Sequence, residues 1–220
     1  KRVQAIAFIN QMKLMFPQGN GKCFCNKDFT ADDLRAIVKR IRDNTFYEGE
    51  SITKHHEENL FYVKGGVPKS DQTFEKFAEV LNTSFKKYGI TNCIHKIHYL
   101  ANMYVETMYF TATEELESKY TNKYKPYIGR GFMHLTHDYH YIEYSDIAGN
   151  TDIKSGTIYL KVGSDLYIAA DTAGWYWKKS KLNTLSETDD ILKTTKKING
   201  GTHGYKDRRI AWIKLKEIFN

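Results

Sequence analysis

The stretch Tyr127-Ile-Gly-Arg-Gly-Phe-Met-His-Leu-Thr-His-Asp-Tyr-His-Tyr141 gathers two glycines, an arginine, a threonine and a series of aromatic and imidazole side chains. Gly129 and Gly131 lack a Cβ, so the backbone there can approach another group closely. The side chains around them are of the kinds that line a sugar-binding cleft. Upstream lie Glu106 and Glu115, the paired carboxylates that such a cleft needs if it is to cut a glycosidic bond.

Glu106 sits near the end of an apolar helical segment, Ala101-Asn-Met-Tyr-Val-Glu-Thr107. A carboxyl among Tyr104, Val105 and Met108 is expected to be partly desolvated. Desolvation raises its pKa and keeps it protonated, as a general acid requires. Glu115 follows nine positions later, after Thr111-Ala-Thr113. A helix and turn over that distance can set two carboxyls across a cleft. Inverting glycosidases separate them by roughly 6.5–9.5 Å, so that one protonates the leaving oxygen and the other activates water. By spacing alone, Glu114, Glu115 and Glu117 read as a solvated helix start, because charge clusters usually are solvated.

Outward from this centre the chain reads as mainly α. Thr30 and Asp33 form a capping box, with Phe29 and Leu34 as the staple, for a helix ending near Arg42. Gly65-Gly66-Val67-Pro68 is a break. Phe74, Phe77, Ala78, Leu81 and Phe85 make one apolar helical stripe, and Ile94, Ile97, Ala101, Tyr104 and Met108 make another, with Gly89 between them. Further helices are expected at Leu166–Trp177 and Asp207–Phe219. Phe46 to Val63 is mixed in character and carries no clear period.

The 220 residues are 41% hydrophobic and 27% charged, the composition of a globular domain with a real core, and no apolar run is long enough to span a membrane. Net charge is +7, and from Lys178 to Asn220 eleven Lys and Arg face five Asp and Glu. That excess reads either as a surface for an anionic partner or as solvated helix faces. No nucleic-acid-binding motif accompanies it. Cys23, Cys25 and Cys93 make a poor disulfide framework, since their number is odd and two of them are too close in sequence to pair, and no second pair completes a zinc site; they read as ordinary thiols. His134, His137 and His140 recur every third residue. They read as hydrogen-bonded histidines, with a metal site as the alternative. Trp175 and Trp177 read as a core face, with sugar stacking as the alternative.

Taken together, the motifs resemble glycoside hydrolase family 19, which includes plant-type chitinases and related phage endolysins and bacterial wall hydrolases. The resemblance is carried by Val105-Glu106-Thr107, Thr113-Glu-Glu-Leu116 and Tyr127-Ile-Gly-Arg-Gly-Phe-Met-His-Leu-Thr136. It continues through Ala173-Gly-Trp-Tyr-Trp177, Leu182-Asn183, Ile198-Asn-Gly-Gly201 and Asp207-Arg208, spanning about Gln72 to Phe219 in the family's order. It implies a mainly α, lysozyme-like, two-lobed domain with a cleft and at most a small β-hairpin. Residues 69–220 would be the catalytic domain and residues 1–68 a helical extension packed on it.

The resemblance also implies roles. Glu106 would be the general acid, Glu115 the base, and Thr136 the residue orienting the attacking water. Arg130 would hold the carboxylates. Tyr127, His134, His140 and Asn199 would contact sugar, and Arg208 would anchor the last helix to the site. No cofactor and no metal are implied. The chain departs from the family at three places: His134 stands where Gln is usual, His140 where plant-type members have Asn, and Val105 where His is common.

The expected reaction is inverting hydrolysis of a β-1,4 bond between N-acetylated sugars. Peptidoglycan is the expected polymer, cut between N-acetylmuramic acid and N-acetylglucosamine, and chitin is the alternative. No secretory signal is visible at Lys1-Arg-Val. The expectation is a protein made in the cytoplasm that acts in the periplasm or wall of a bacterium. It would arrive as a type VI secretion effector or a phage endolysin, with an immunity protein or secretion-apparatus partner.

Overall fold

In the computed structural model, which describes residues 22–43, 59–148 and 152–219, nine α-helices carry the architecture among the described residues. They are α1 (Ala31–Arg42), α2 (Phe74–Tyr88), α3 (Cys93–Glu106), α4 (Asp138–Ala148), α5 (Lys161–Ser164), α6 (Leu166–Lys179), α7 (Leu182–Ser186), α8 (Ile191–Asn199) and α9 (Tyr205–Phe219). β-structure among these residues is limited to isolated bridges, Lys64 with Ala112, Glu114 with Arg130, and Arg130 with Leu135. The fold is thus mainly α, as read from the sequence. Much of the segment Phe46 to Val63 lies outside the described residues.

Local chemistry sets most helix ends. The Thr30 hydroxyl accepts from the Asp33 N–H while Asp33 accepts from the Thr30 N–H, a reciprocal capping box that starts α1. Thr73 caps α2, and Gly89, at φ 70°, ends it with its N–H on the Phe85 carbonyl. Asp165 and Asp190 cap α6 and α8.

α3 occupies the middle. Every residue from His95 to Tyr104 is buried. This corrects the reading of α3 as a helix with one apolar stripe: it is enclosed on all sides, and Met108 lies beyond its end at φ 49°. An enclosed helix must satisfy its polar groups internally. The Lys96 ammonium donates to the Phe24 and Lys27 carbonyls at 2.8 and 2.6 Å, and Asn102 donates to the His98 carbonyl at 2.8 Å. α9 packs along α3, α2 packs on α6, and α1 packs on α2 and α9.

An aromatic knot fixes the site loops to this scaffold. Phe77 of α2 lies 5.2 Å from Phe61, 5.5 Å from Phe110 and 5.9 Å from Phe132 between ring centroids. Phe110 follows Glu106 closely, and Phe132 belongs to the Gly129–Leu135 loop. Truncating such a buried ring costs about 3–5 kcal/mol, so Phe77 holds both loops in register. The described part of the N-terminal segment shares the same core: Phe24 and Phe29 pack on Phe219, and Leu34, Ile37, Val38 and Ile41 are buried. Trp177 is fully buried, with its indole N–H on Asn183 Oδ1 at 2.8 Å. Trp175 is buried in a second cluster with Tyr141 and Tyr144.

Candidate active site

Glu106 is the last residue of α3. The chain then reverses through Met108, Tyr109 and Phe110, three consecutive non-glycine residues with left-handed φ of 49°, 66° and 63°. That conformation is costly for L-residues and persists only where the surroundings impose it. Arg42 supplies much of that constraint. Its guanidinium, buried at the end of α1, donates to the carbonyls of Tyr109 at 2.8 Å, Phe110 at 3.3 Å and Asn59 at 3.1 Å. Thr107 adds an Oγ1 donation to the Met103 carbonyl and accepts from the Phe110 N–H.

The returning strand-like segment carries Glu115. Its main chain is zipped to the Gly129 loop: Glu115 N–H donates to the Gly129 carbonyl at 2.9 Å and Gly131 N–H to the Thr113 carbonyl at 2.8 Å. Arg130 and Leu135 exchange main-chain bonds at 3.1 and 2.7 Å, closing the loop on itself. Glu115 Oε2 accepts from the Gly129 N–H at 3.3 Å. A Cβ at Gly129 would lie 2.9 Å from Glu115 Oε2 and 2.9 Å from His134 Cβ. Glycine at this position therefore lets Glu115 and His134 close in on the same backbone atom.

Glu106 is bound from two directions. Arg208, in the first turns of α9, donates through Nη2 to Oε1 at 2.5 Å, and His134 Nδ1 lies 3.3 Å from Oε2. Arg208 is itself held by Asn102, through the main-chain carbonyl at 3.1 Å and Oδ1 at 3.0 Å. Gly204 permits the approach of α9, because a Cβ there would meet Val105 Cγ1 at 2.7 Å.

These contacts correct the expected protonation state. Burial raises the pKa of Glu106 and is the largest single influence. The His134 hydrogen bond and the Arg208 charge together outweigh it and hold the carboxyl near 2. Glu106 at rest is an ion-paired carboxylate.

Glu106 and Glu115 line one cleft of about 290 Å³, together with Tyr124, Met133, His134, Leu135, Thr136, His137, Tyr139, His140, Tyr176, Ile198 and Asn199. Of the residues singled out from sequence, Glu106, Glu115, Thr136, His134, His140 and Asn199 all reach this space. Thr136 Oγ1 donates to the His134 carbonyl at 2.7 Å, which leaves its oxygen lone pairs to accept from a cleft water. His140 Nδ1 lies 2.8 Å from the Thr136 carbonyl, so it braces the same loop; its burial lowers its pKa. The three loop histidines do not converge as metal ligands. Among the described residues the one group of three or more His, Cys, Asp or Glu side chains close enough to share an ion is Cys23, Cys25 and Cys93.

Two placements differ from expectation. Arg130 pairs with Glu114 through Nε at 2.5 Å and with the Pro126 carbonyl at 2.7 Å, not with Glu106 or Glu115. Glu114 also meets Lys64 at 3.2 Å, so it is a structural ion-pair residue. Tyr127 packs on Tyr141 and Tyr159, at 5.0 and 5.5 Å, outside the cleft lining. Arg208 acts on Glu106 from behind. Conversely, the sequence reading missed an aromatic rim. Tyr124 meets the His137 ring edge-on at 4.5 Å, and His137 stacks on Tyr139 at 5.1 Å. The density of rings in Tyr127–Tyr141 was the available signal, but which of them face the cleft depends on the left-handed turns at His134 and His137.

No family model matches the sequence, and comparison with curated protein sequences finds no match. Solved structures do match. Chitinase C from Streptomyces griseus HUT6037 superposes with a TM-score of 0.60 at 15% identity, over 91% of this chain and 95% of that one. A chitinase C mutant gives 0.60 at 17% identity with the same coverage. A bacterial family 19 chitinase gives 0.57 at 16% identity, over 84% of this chain and 94% of that one. The chain has the fold of the family 19 chitinases.

Proposed function

We propose that this protein hydrolyses β-1,4 bonds between N-acetylated sugars with inversion at the anomeric carbon. The observation that carries this reading is the meeting of Glu106 and Glu115 in one cleft, each held through a different residue of a single loop. Glu115, whose carboxylate accepts from one main-chain N–H, is the base that takes a proton from water, and Thr136 helps aim that water. Glu106 delivers the proton to the leaving oxygen. Because Glu106 is ionised at rest, it must first be protonated. A bound glycan that excludes water from the cleft disfavours charge on the buried carboxylate. His134 Nδ1, 3.3 Å from Oε2, holds the carboxyl in the cleft. Acid–base chemistry of this kind needs only the two carboxylates.

Peptidoglycan is the preferred substrate in this reading, with cleavage between N-acetylmuramic acid and N-acetylglucosamine. Lys196 and Lys197, both exposed, stand on α8 immediately before the cleft residues Ile198 and Asn199. Positive charge at the rim favours a polymer bearing carboxylates over neutral chitin. Delivery as an effector or an endolysin, with an immunity or secretion partner, belongs to the same reading and rests on the sequence resemblance. A chitinase is the second reading, favoured by the fold shared with chitinases C.

Parallel digestion of purified sacculi and colloidal chitin decides between them. Release of muropeptides with N-acetylmuramic acid at the new reducing end, seen by mass spectrometry after borohydride reduction, is the expected result. Reducing-end N-acetylglucosamine from sacculi would make the enzyme a glucosaminidase, and soluble oligomers from chitin alone would replace peptidoglycan as substrate.

A further inference from the structure

We propose that Cys23, Cys25 and Cys93 form a three-thiolate site for a thiophilic d10 metal ion, zinc(II) or copper(I). The three sulfurs all lie within 4.8 Å of one another. Two come from a Cys-x-Cys turn and one from the first residue of α3, 68 positions beyond Cys25. The Cys23 and Cys93 sulfurs are 3.7 Å apart. Zinc–sulfur bonds of about 2.3 Å at tetrahedral angles place sulfurs about 3.8 Å apart, whereas a disulfide requires about 2.0 Å. A disulfide would also use two sulfurs and strand the third.

A main-chain donor and nearby cations meet the cluster. Cys93 N–H donates to Cys25 Sγ at 3.0 Å. Bonds of this kind orient ligands and offset their charge. Lys27 and Lys96 place positive charge beside the cluster. The turn is held independently of any ion. Asn26 N–H donates to the Thr91 carbonyl at 2.9 Å, Asn26 takes a left-handed φ of 55°, and Lys96 ties the carbonyls of Phe24 and Lys27 to α3.

Cys23 is exposed and the other two half-buried, so one side of the cluster opens to solvent. Copper(I) suits three soft thiolates alone. Zinc(II) takes a fourth ligand on the open side, water or an external group. Residues 1–21 contain no Cys, His, Asp or Glu to supply it. On binding, each ligating thiol gives its proton to solvent, so uptake is favoured by rising pH. The site clips the N-terminal segment, whose Lys22 N–H reaches the Ile218 carbonyl at 2.9 Å, to the central helix. It sits at the opposite end of α3 from Glu106, about 20 Å away at 1.5 Å per residue, and does not depend on the proposed glycosidase activity.

The test is titration of the full chain, purified metal-free under reductant, with cobalt(II). A thiolate-to-cobalt charge-transfer band saturating at one equivalent, with a rise in Tm, supports the site. Displacement by one equivalent of zinc(II) identifies zinc, and displacement only by copper(I) under a chelating competitor identifies copper. Cys23→Ser, at an exposed position that should leave folding intact, is expected to lose the band and the Tm rise while digesting glycan at the wild-type rate. Absence of the band in folded wild-type protein would overturn the proposal. So would an unchanged band in Cys23→Ser, or a Cys23–Cys93 disulfide as the stable form in thiol-blocked protein.

Discussion

Arg208 and Glu106, 102 residues apart in sequence, meet at 2.5 Å beneath the cleft, with Arg208 almost completely buried. The pair joins the end of the central helix to the start of the last one. It also decides the resting charge of the residue proposed to act as acid, because the guanidinium and His134 together overcome the effect of burial.

The acid limb of stability carries the signature of that pair. A carboxyl depressed from about 4.3 when unfolded to about 2 when folded stabilises fully above the unfolded value. That contribution disappears as pH falls through the folded value. His98 acts in the same direction at higher pH. Burial lowers its pKa to about 4, so the unfolded chain takes up that proton first, and stability falls between about pH 6.5 and 4. Urea midpoints measured from pH 7 to 3 should fall continuously in wild type. In Glu106→Gln the slope below about pH 5 should flatten, even if the starting stability is lower. An unchanged slope would mean that Glu106 is not held as a carboxylate.

The neighbouring glutamates should separate into chemistry and structure. Glu106→Gln and Glu115→Gln are each expected to lower turnover of sacculi by about 10²–10⁴, the range of a lost acid or base, with circular dichroism unchanged. Glu114→Gln should keep most of its turnover and instead lose about 1–3 kcal/mol of stability, because Arg130 and Lys64 forfeit a charged partner. Wild-type lysis by Glu106→Gln would end the two-carboxylate reading.

Gly129→Ala tests the loop geometry. The new Cβ would fall 2.9 Å from both Glu115 Oε2 and His134 Cβ, and the latter cannot swing away without moving backbone. Displacing a catalytic group by about 1 Å costs on the order of 100-fold in rate. We expect a loss of kcat of that size, with stability lowered by about 1–3 kcal/mol. Normal kcat would show that the loop relaxes without consequence.

Arg42→Met addresses the left-handed turn after Glu106. Losing charged hydrogen bonds to three carbonyls, that of Phe110 buried, should cost about 3 kcal/mol, read as a lower urea midpoint. Hydrogen exchange should rise at Tyr109 and Phe110 ahead of α3. Uniform destabilisation, with no local increase in exchange, would assign Arg42 to the general core instead.

Sequence alone determined whatever is written in short range. The capping box at Thr30 and Asp33, the stripe from Phe74 to Phe85 and the break at Gly89 rest on contacts within a turn or two of helix, so their signal lies in adjacent letters. The order of glutamate, glycine-arginine-glycine and asparagine-glycine motifs likewise pointed to the fold. Only tertiary structure decided the rest. The charge on Glu106, the diversion of Arg130 to Glu114 and the choice of cleft-facing rings depend on groups brought together across long stretches of chain. So does the meeting of Cys93 with Cys23 and Cys25. Electrostatic and coordination energies fall with distance in space and are indifferent to distance along the chain. For that reason the Tyr127–Tyr141 segment announced a site, but the partners that set its chemistry became visible only in the folded molecule.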